Sequence, residues 1–442
     1  MSKIKSITAL LIFLPIQFSH AQNLVETHQL ALENNPELKS AYLNQFSTSE
    51  IRSQSIAQML PTISVSGSSA RQRLNNKKFT FQRNGTQNYW NHSFTINFKQ
   101  PVFNWGHWVQ LNQSDNRIAQ SEAQYQATYQ QLIVQTSEAY FNILAAQDNL
   151  EFTVSEKKAI KKQLEQATQR FKVGLIAITD VHEAQAGYDQ SIANEIEAAN
   201  LLDDSKENLR EIIGENEAQL DTLLENIPLN FPEPADITLW SKAAESNNFN
   251  IIAQLNQTEV IRKEIKLQKS GHLPTIDIVA NYGVQDNTSN FGLRGDTQSV
   301  GLELNLPLFE GGAVHSRTKQ AQFNYQREKE NLTQTKRAVT RQVRNAYRDV
   351  ISSISRVKAL EATVKSSTSA LEATEAGFEV GTRTMVDILA EQRNLFRSKR
   401  DYSRSRYDYL INGIKLKEAS GSLTAADLET VNQYLTVVIK TQ

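Results

Sequence analysis

Phe171-Lys172-Val173-Gly174-Leu175-Ile176-Ala177-Ile178-Thr179-Asp180-Val181 decides how this chain is read, because a second stretch answers it: Phe378-Glu379-Val380-Gly381-Thr382-Arg383-Thr384-Met385-Val386-Asp387-Ile388. Set one beneath the other, the two share Phe, Val, Gly and Asp at the same places, 207 residues apart in a chain of 442. Each lies between a long helical pattern and a shorter one. The glycine supplies a backbone position that tolerates φ > 0 and so ends the first helix. The Thr and Asp that follow offer side-chain oxygens to the free N–H groups at the start of the next. Both stretches are therefore expected to be tips of helical hairpins, in a chain built twice over.

Other landmarks recur with them. Asn34-Asn35 answers Asn247-Asn248, Leu60-Pro61-Thr62-Ile63 answers Leu273-Pro274-Thr275-Ile276, and Ala139-Tyr140 answers Ala346-Tyr347. A repeat of this length means duplication of a whole structural unit. Copy one is assigned to 22–226 and copy two to 237–430, with a proline-bearing linker at 227–236 and a tail at 431–442. Each copy is expected to run helix (Leu24–Met59; Ile237–Ser270), two strands (near 61–103; near 274–309), a very long helix (Gly106–Arg170; Ala313–Ala376), a tip, and a shorter helix (Asp180–Ile213; Val386–Ser420).

The chain has no cysteine, which excludes disulfides, thiol catalysis and cysteine metal sites. Lys3 and Lys5, the apolar run Ile7–Ile16 and Ser19-His20-Ala21 form a secretory signal, expected to be cleaved after residue 21. Beyond it no run approaches 18 apolar residues, so an exported protein with this sequence can span a membrane only as strands of a closed barrel.

The strands suit that. Trp90, His92, Phe94, Ile96 and Phe98 alternate with Asn91, Ser93, Thr95, Asn97 and Lys99, and Val300, Leu302, Leu304 and Leu306 with Gly301, Glu303 and Asn305. Such alternation fits strands with lipid on one side and water on the other, and fits equally a soluble sheet with one buried face. Four strands cannot close a barrel, and about eight leave an interior merely filled by side chains. An open pore therefore argues for three copies. In the long helix Ile118, Tyr125, Leu132, Ala139 and Ala146 recur every seven residues, which is coiled-coil spacing. That spacing fits a solvated rod as well as a helical cylinder.

The chain resembles the outer membrane factor (TolC) family. The resemblance covers nearly all of the mature chain and is carried by Gln169-Arg170-Phe171, Val173-Gly174-Leu175, Ala177-Ile178-Thr179-Asp180-Val181, Gly271-His272-Leu273-Pro274-Thr275 and Val380-Gly381-Thr382-Arg383-Thr384. It implies a mixed α/β membrane protein: a homotrimer with a 12-stranded transmembrane β-barrel, four strands per chain, continuous with a long periplasmic α-helical barrel of coiled-coil hairpins. The implied function is an outer-membrane exit duct for drugs or secreted proteins. The implied partners are outer-membrane lipid, a periplasmic adaptor (membrane fusion protein) and an inner-membrane RND or ABC transporter. The periplasmic end would close at rest and open by an iris-like untwisting of the inner helix pair.

The resemblance also assigns residues. Asp387 matches a carboxylate ring that narrows the entrance; by spacing alone, Thr384 to Asp387 is a capping box. The family pattern has a second Asp where this chain has Ala390, so a second ring is missing or displaced onto Glu391. Arg383 matches a latch to the region of Thr179 and Asp180, and the tyrosine of that network is here Phe378, without its hydroxyl. Gly174, Leu175, Gly381 and Thr382 match adaptor-docking turns. No nucleophile–base pair, phosphate loop or metal-ligand spacing stands out, so neither an enzyme nor a cofactor is expected, and nucleic acid is not an expected partner. The competing reading is a structural coiled-coil spacer of the cell envelope.

Overall fold

A computed structural model describes residues 22–76, 85–215, 219–289 and 292–436. The signal segment 1–21 and the end of the tail, 437–442, lie outside the described residues. The element order is α1 (Leu24–Asn34), α2 (Pro36–Ala57), β1 (Thr62–Asn76), β2 (Gly85–Phe103), α3 (Trp105–Lys172), α4 (Ile178–Ile213), β3 (Thr222–Leu223), α5 (Ile237–Asn247), α6 (Phe249–Lys269), β4 (Thr275–Asn287), β5 (Arg294–Asn305), α7 (Ala313–Glu379), α8 (Met385–Ser420), α9 (Ala425–Asn432) and β6 (Leu435–Thr436). Two helices, two strands and two helices thus run in the same order twice.

The opening helix of each copy is broken, not continuous as expected. Pro36 has no N–H and excludes the helical conformation from the residue before it, and Asn35 is extended at φ −64°, ψ 121°. Asn248 breaks the second copy at the same place, extended at φ −69°, ψ 121°, and its side chain accepts from the N–H groups of Asn250 and Ile251. The two Asn-Asn landmarks are therefore the breaks.

The described residues form two compact units, and each draws equivalent parts from both copies: one from 37–129 with 238–343, the other from 22–36 with 130–237 and 344–436. The first unit holds a four-stranded antiparallel sheet in the order β1-β2-β4-β5, so the copies meet at β2 and β4. Its register sets Val65 opposite Ile96, Ile96 opposite Tyr282, Ile278 opposite Leu302 and Ala280 opposite Val300. Paired residues share a face, so one face is apolar from edge to edge. Among the described residues nothing covers it: Ile63, Val65, Val300, Leu302 and Leu304 are exposed. Lys99 and Asp277 form an ion pair at 2.9 Å.

The second unit holds α3 from residue 130 on and α7 from residue 344 on, with α1, α4, α8 and α9. Leu132, Ile133, Tyr140, Phe141 and Leu144 of α3 are buried in it. The Tyr140 hydroxyl lies 3.1 Å from the Gln22 carbonyl and 3.0 Å from that of Asp221, and shares its proton between them. The tail returns here. Thr424 and Asp427 cap α9 reciprocally, and β6 pairs with β3. A pair of two-residue strands carries too short a pattern to be read from sequence. Among the described residues no helix is long and apolar enough to cross a membrane.

Candidate functional site: the hairpin tips

The two tips are built alike. In the first, Gly174 sits at φ 77°, its N–H donates to the Phe171 carbonyl at 2.9 Å, and the N–H of Leu175 donates to Arg170. In the second, Gly381 sits at φ 76°, its N–H donates to Phe378, and that of Thr382 donates to Gly377 at 2.8 Å. These are left-handed helix ends, where a Cβ would strain the turn. Beneath them Ile160 and Ala167 of α3, Ala184 of α4, and Met385 and Leu389 of α8 form one buried cluster, with Ile176, Val181 and Phe378 packed against it. Both turns are thus held at one level. Their outer surface is apolar, with Leu175 and Val380 exposed.

The helices leaving the tips start differently. Thr384 caps α8: its hydroxyl accepts from the Asp387 N–H, and the Asp387 carboxylate accepts from the N–H of Thr384 at 2.9 Å and from its hydroxyl at 3.0 Å. The capping box read from spacing is present. The Thr384 hydrogen bonds, with the nearby Arg383 charge, hold the Asp387 carboxyl below the usual carboxylate range. In α4 the equivalent cap position is Ala177, which offers no side-chain hydrogen bond. Thr179 and Asp180 follow it in the first turn, and the Asp180 N–H donates to the Ala177 carbonyl. Glu391 stands one turn on from Asp387 on the same helix face, half-exposed like its neighbour Ala390.

The structure does not bring Arg383 to Thr179 or Asp180 within one chain. Among the described residues its guanidinium has no ion pair, although the Arg383 backbone N–H donates to the Gly377 carbonyl at 3.3 Å. A Cβ on Gly377 would fall 2.7 Å from the Arg383 Cγ, so this glycine leaves room for the arginine stem. Phe378 is half-buried, and the Arg170 guanidinium lies 5.0 Å over its ring, a cation–π contact that needs no hydroxyl. Two links were not read from the sequence. The Gln163 amide donates to Glu375 at 3.3 Å, joining α3 to α7. Higher up, Arg400 of α8 forms an ion pair at 2.8 Å with Glu156 of α3, whose side chain is only 4% exposed. Long-range pairs on helix faces leave no local spacing signal. Among the described residues no group of three or more His, Asp or Glu could hold a metal ion.

An uncovered apolar sheet face and two matched hairpin tips are features of an outer-membrane channel protein. A model of the family described as "Outer membrane efflux protein" matches residues 27–215 and 240–422, and the chain belongs to that family. It is an outer-membrane exit duct that extends into the periplasm. Among curated relatives it is 38% identical to outer membrane protein TolC of Vibrio cholerae, with 95% of each chain covered. It is 35% identical to TolC of Escherichia coli, with 96% of this chain and 87% of the relative covered. The alkaline protease secretion protein AprF of Pseudomonas aeruginosa is 28% identical, with 93% and 87% covered. The fold matches the crystal structure of the Campylobacter jejuni CmeC outer membrane channel at a TM-score of 0.78, with 15% identity over 98% of this chain and 97% of that one.

Proposed function

We propose that three copies of this chain form one conduit, a 12-stranded barrel in the outer membrane joined to a helical barrel in the periplasm. The conduit takes drugs or secreted proteins from an inner-membrane RND or ABC transporter through a periplasmic adaptor. One observation carries this reading: the sheet has an uncovered apolar face, and its outer strands β1 and β5 have no partner on their outer edges among the described residues. Open edges of this kind are removed by pairing with another copy. At the tips, Asp387 and its two symmetry copies narrow the mouth. Arg383, whose guanidinium has no ion pair among the described residues, latches the mouth by reaching Thr179 and Asp180 of the next copy. The exposed turns at Gly174, Leu175, Gly381 and Thr382 receive the adaptor.

The test is made on purified full chain. A trimer whose gel mobility changes on heating, and discrete conductance in planar bilayers, are the expected results. A monomer without conductance would instead mark an envelope spacer. Deleting the gene and profiling drug sensitivity beside secreted proteins separates the two cargo classes.

A further inference from the structure

In the unit that carries the tips, α4 and α7 lie on opposite flanks of the α3–α8 pair. Arg404 of α8 and Asn142 of α3 are hydrogen-bonded at 2.8 Å, and both line two grooves. One groove, of about 510 Å³, is walled by Leu201, Ser205 and Asn208 of α4. The other, of about 280 Å³, is walled by Asp349, Ser352 and Arg356 of α7. Each flanking helix therefore has an inner face and an outer one. On α4 the buried residues are Ala184, Ser191, Ala198, Ser205, Leu209 and Ile213. At 3.6 residues per turn, Ile196, Glu207 and Glu211 fall on the opposite side. On α7 the buried residues include Ala346, Val350, Ile354 and Val357. By the same arithmetic Arg344, Arg348 and Ala359 fall opposite them.

The two outer faces match in charge and in height. Arg344 and Arg348 are exposed and have no ion-pair partner among the described residues. Glu211 is exposed and likewise has none, while Glu207 shares its charge with Arg210 of its own helix. The tip glycines stand at one level, because one cluster anchors both turns. Counted from them, Arg348 lies 33 residues before Gly381 and Glu207 lies 33 residues after Gly174. Arg344 and Glu211 each lie 37 residues away. Ala359 and Ile196, a small residue and an exposed large one, each lie 22 residues away.

We propose that α7 of one copy packs antiparallel along α4 of the next. Arg348 and Arg344 then pair with Glu207 and Glu211, and Ala359 leaves room for Ile196. This rests on the trimeric reading and adds what fixes its register. The two faces are different surfaces on opposite flanks, so the contact is heterologous and repeats until a ring closes. Sliding α7 toward the tip by one turn would bring Arg348 level with Asp203, which is already paired with Lys206, and would move Ala359 away from Ile196. Charged pairs covered by such packing set register and reject misaligned partners.

The experiment uses full-length protein in mild detergent, with mass measured by light scattering. Arg344→Glu with Arg348→Glu is expected to lower the trimer fraction at least tenfold, as is Glu207→Arg with Glu211→Arg. All four together should restore it, and because that chain carries both sets of changes, rescue excludes simple misfolding. Independently, Ile196→Cys with Ala359→Cys in this cysteine-free chain should give covalent dimers and trimers on a non-reducing gel after oxidation. A trimer indifferent to the reversals, a fourfold swap no better than either half, or a trimer that does not cross-link overturns the register and leaves the trimeric duct standing. A monomeric wild-type protein overturns both.

Discussion

Asp387 closes a helix N-terminus, and the proposed conduit gives the same carboxylate a second role. Its hydrogen bonds from Thr384 close the N-terminus of α8 and favour its ionised form, so in the proposed conduit the charge that caps the helix would also be the charge offered to the mouth. Its folded-state pKa is depressed. Its contribution to stability is therefore present above the ordinary carboxylate range and is lost as pH falls through the folded value. The melting-temperature gap between the native chain and Asp387→Ala should hold from neutral pH to about pH 5 and shrink below about pH 4, where carboxylates protonate. In planar bilayers Asp387→Ala should weaken block by added multivalent cations, and Ala390→Asp should strengthen it, because adding a second carboxylate ring restores a cation trap. Block abolished by Ala390→Asp would contradict the role given to Asp387. The Arg170 guanidinium lies 5.0 Å over the Phe378 ring. Phe378→Tyr would add a donor to the proposed latch, and is expected to lower the resting open probability in single-channel records. The capping box was legible because its four residues are adjacent in sequence. The Arg170 contact was not, since arginine and aromatic stand 208 residues apart.

Elements were legible where punctuation is local. Gly174 and Gly381 end α3 and α7 within three residues of the expected positions in each case, and the Asn-Asn landmarks turned out to mark helix breaks. What the periodicity of α3 did not disclose is how it is joined to α8. Glu156 and Arg400 form an ion pair, and Asp148 accepts hydrogen bonds from Tyr407 at 2.8 Å and from Ser403. Burial, with the Asp148 charge beside it, pushes the Tyr407 hydroxyl well above its usual range, so it stays a donor at any physiological pH. Removing one side of a buried pair leaves the other desolvated without compensation. Arg400 keeps about a quarter of its side chain in water, which moderates the loss. Arg400→Ala is therefore expected to destabilise the folded chain by about 1–3 kcal/mol, read by denaturant unfolding, with Glu156→Gln recovering part of the loss in the double variant. An Arg400→Ala chain as stable as the parent would show that solvent already screens this pair.

The whole molecule is governed by a sheet that has no inside of its own. Alternation in each strand was plain from sequence, but the order β1-β2-β4-β5 depends on pairing across nearly 200 residues, which no local pattern encodes. Once that register is set, Ile63, Phe98, Ala280 and Val300 line up across all four strands on one face, and β5 exposes Val300, Leu302 and Leu304 at 82%, 75% and 66%. A soluble protein would bury such a face. An outer-membrane stave gives it to lipid and gives the opposite face, with Glu303, to water. The two faces therefore predict opposite consequences for the same change. Leu302→Arg puts a cation into hydrocarbon, at about 2–4 kcal/mol if it lies near the bilayer midplane, and should sharply reduce heat-modifiable trimer recovered from outer membranes. Glu303→Arg, one residue along on the other face, should leave trimer yield intact and shift the pore's preference toward anions, seen as a change in reversal potential under a salt gradient. If both substitutions reduced the yield equally, or if Leu302→Arg changed ion selectivity with normal assembly, the assignment of lipid and water faces would be reversed, and with it the barrel built from these four strands.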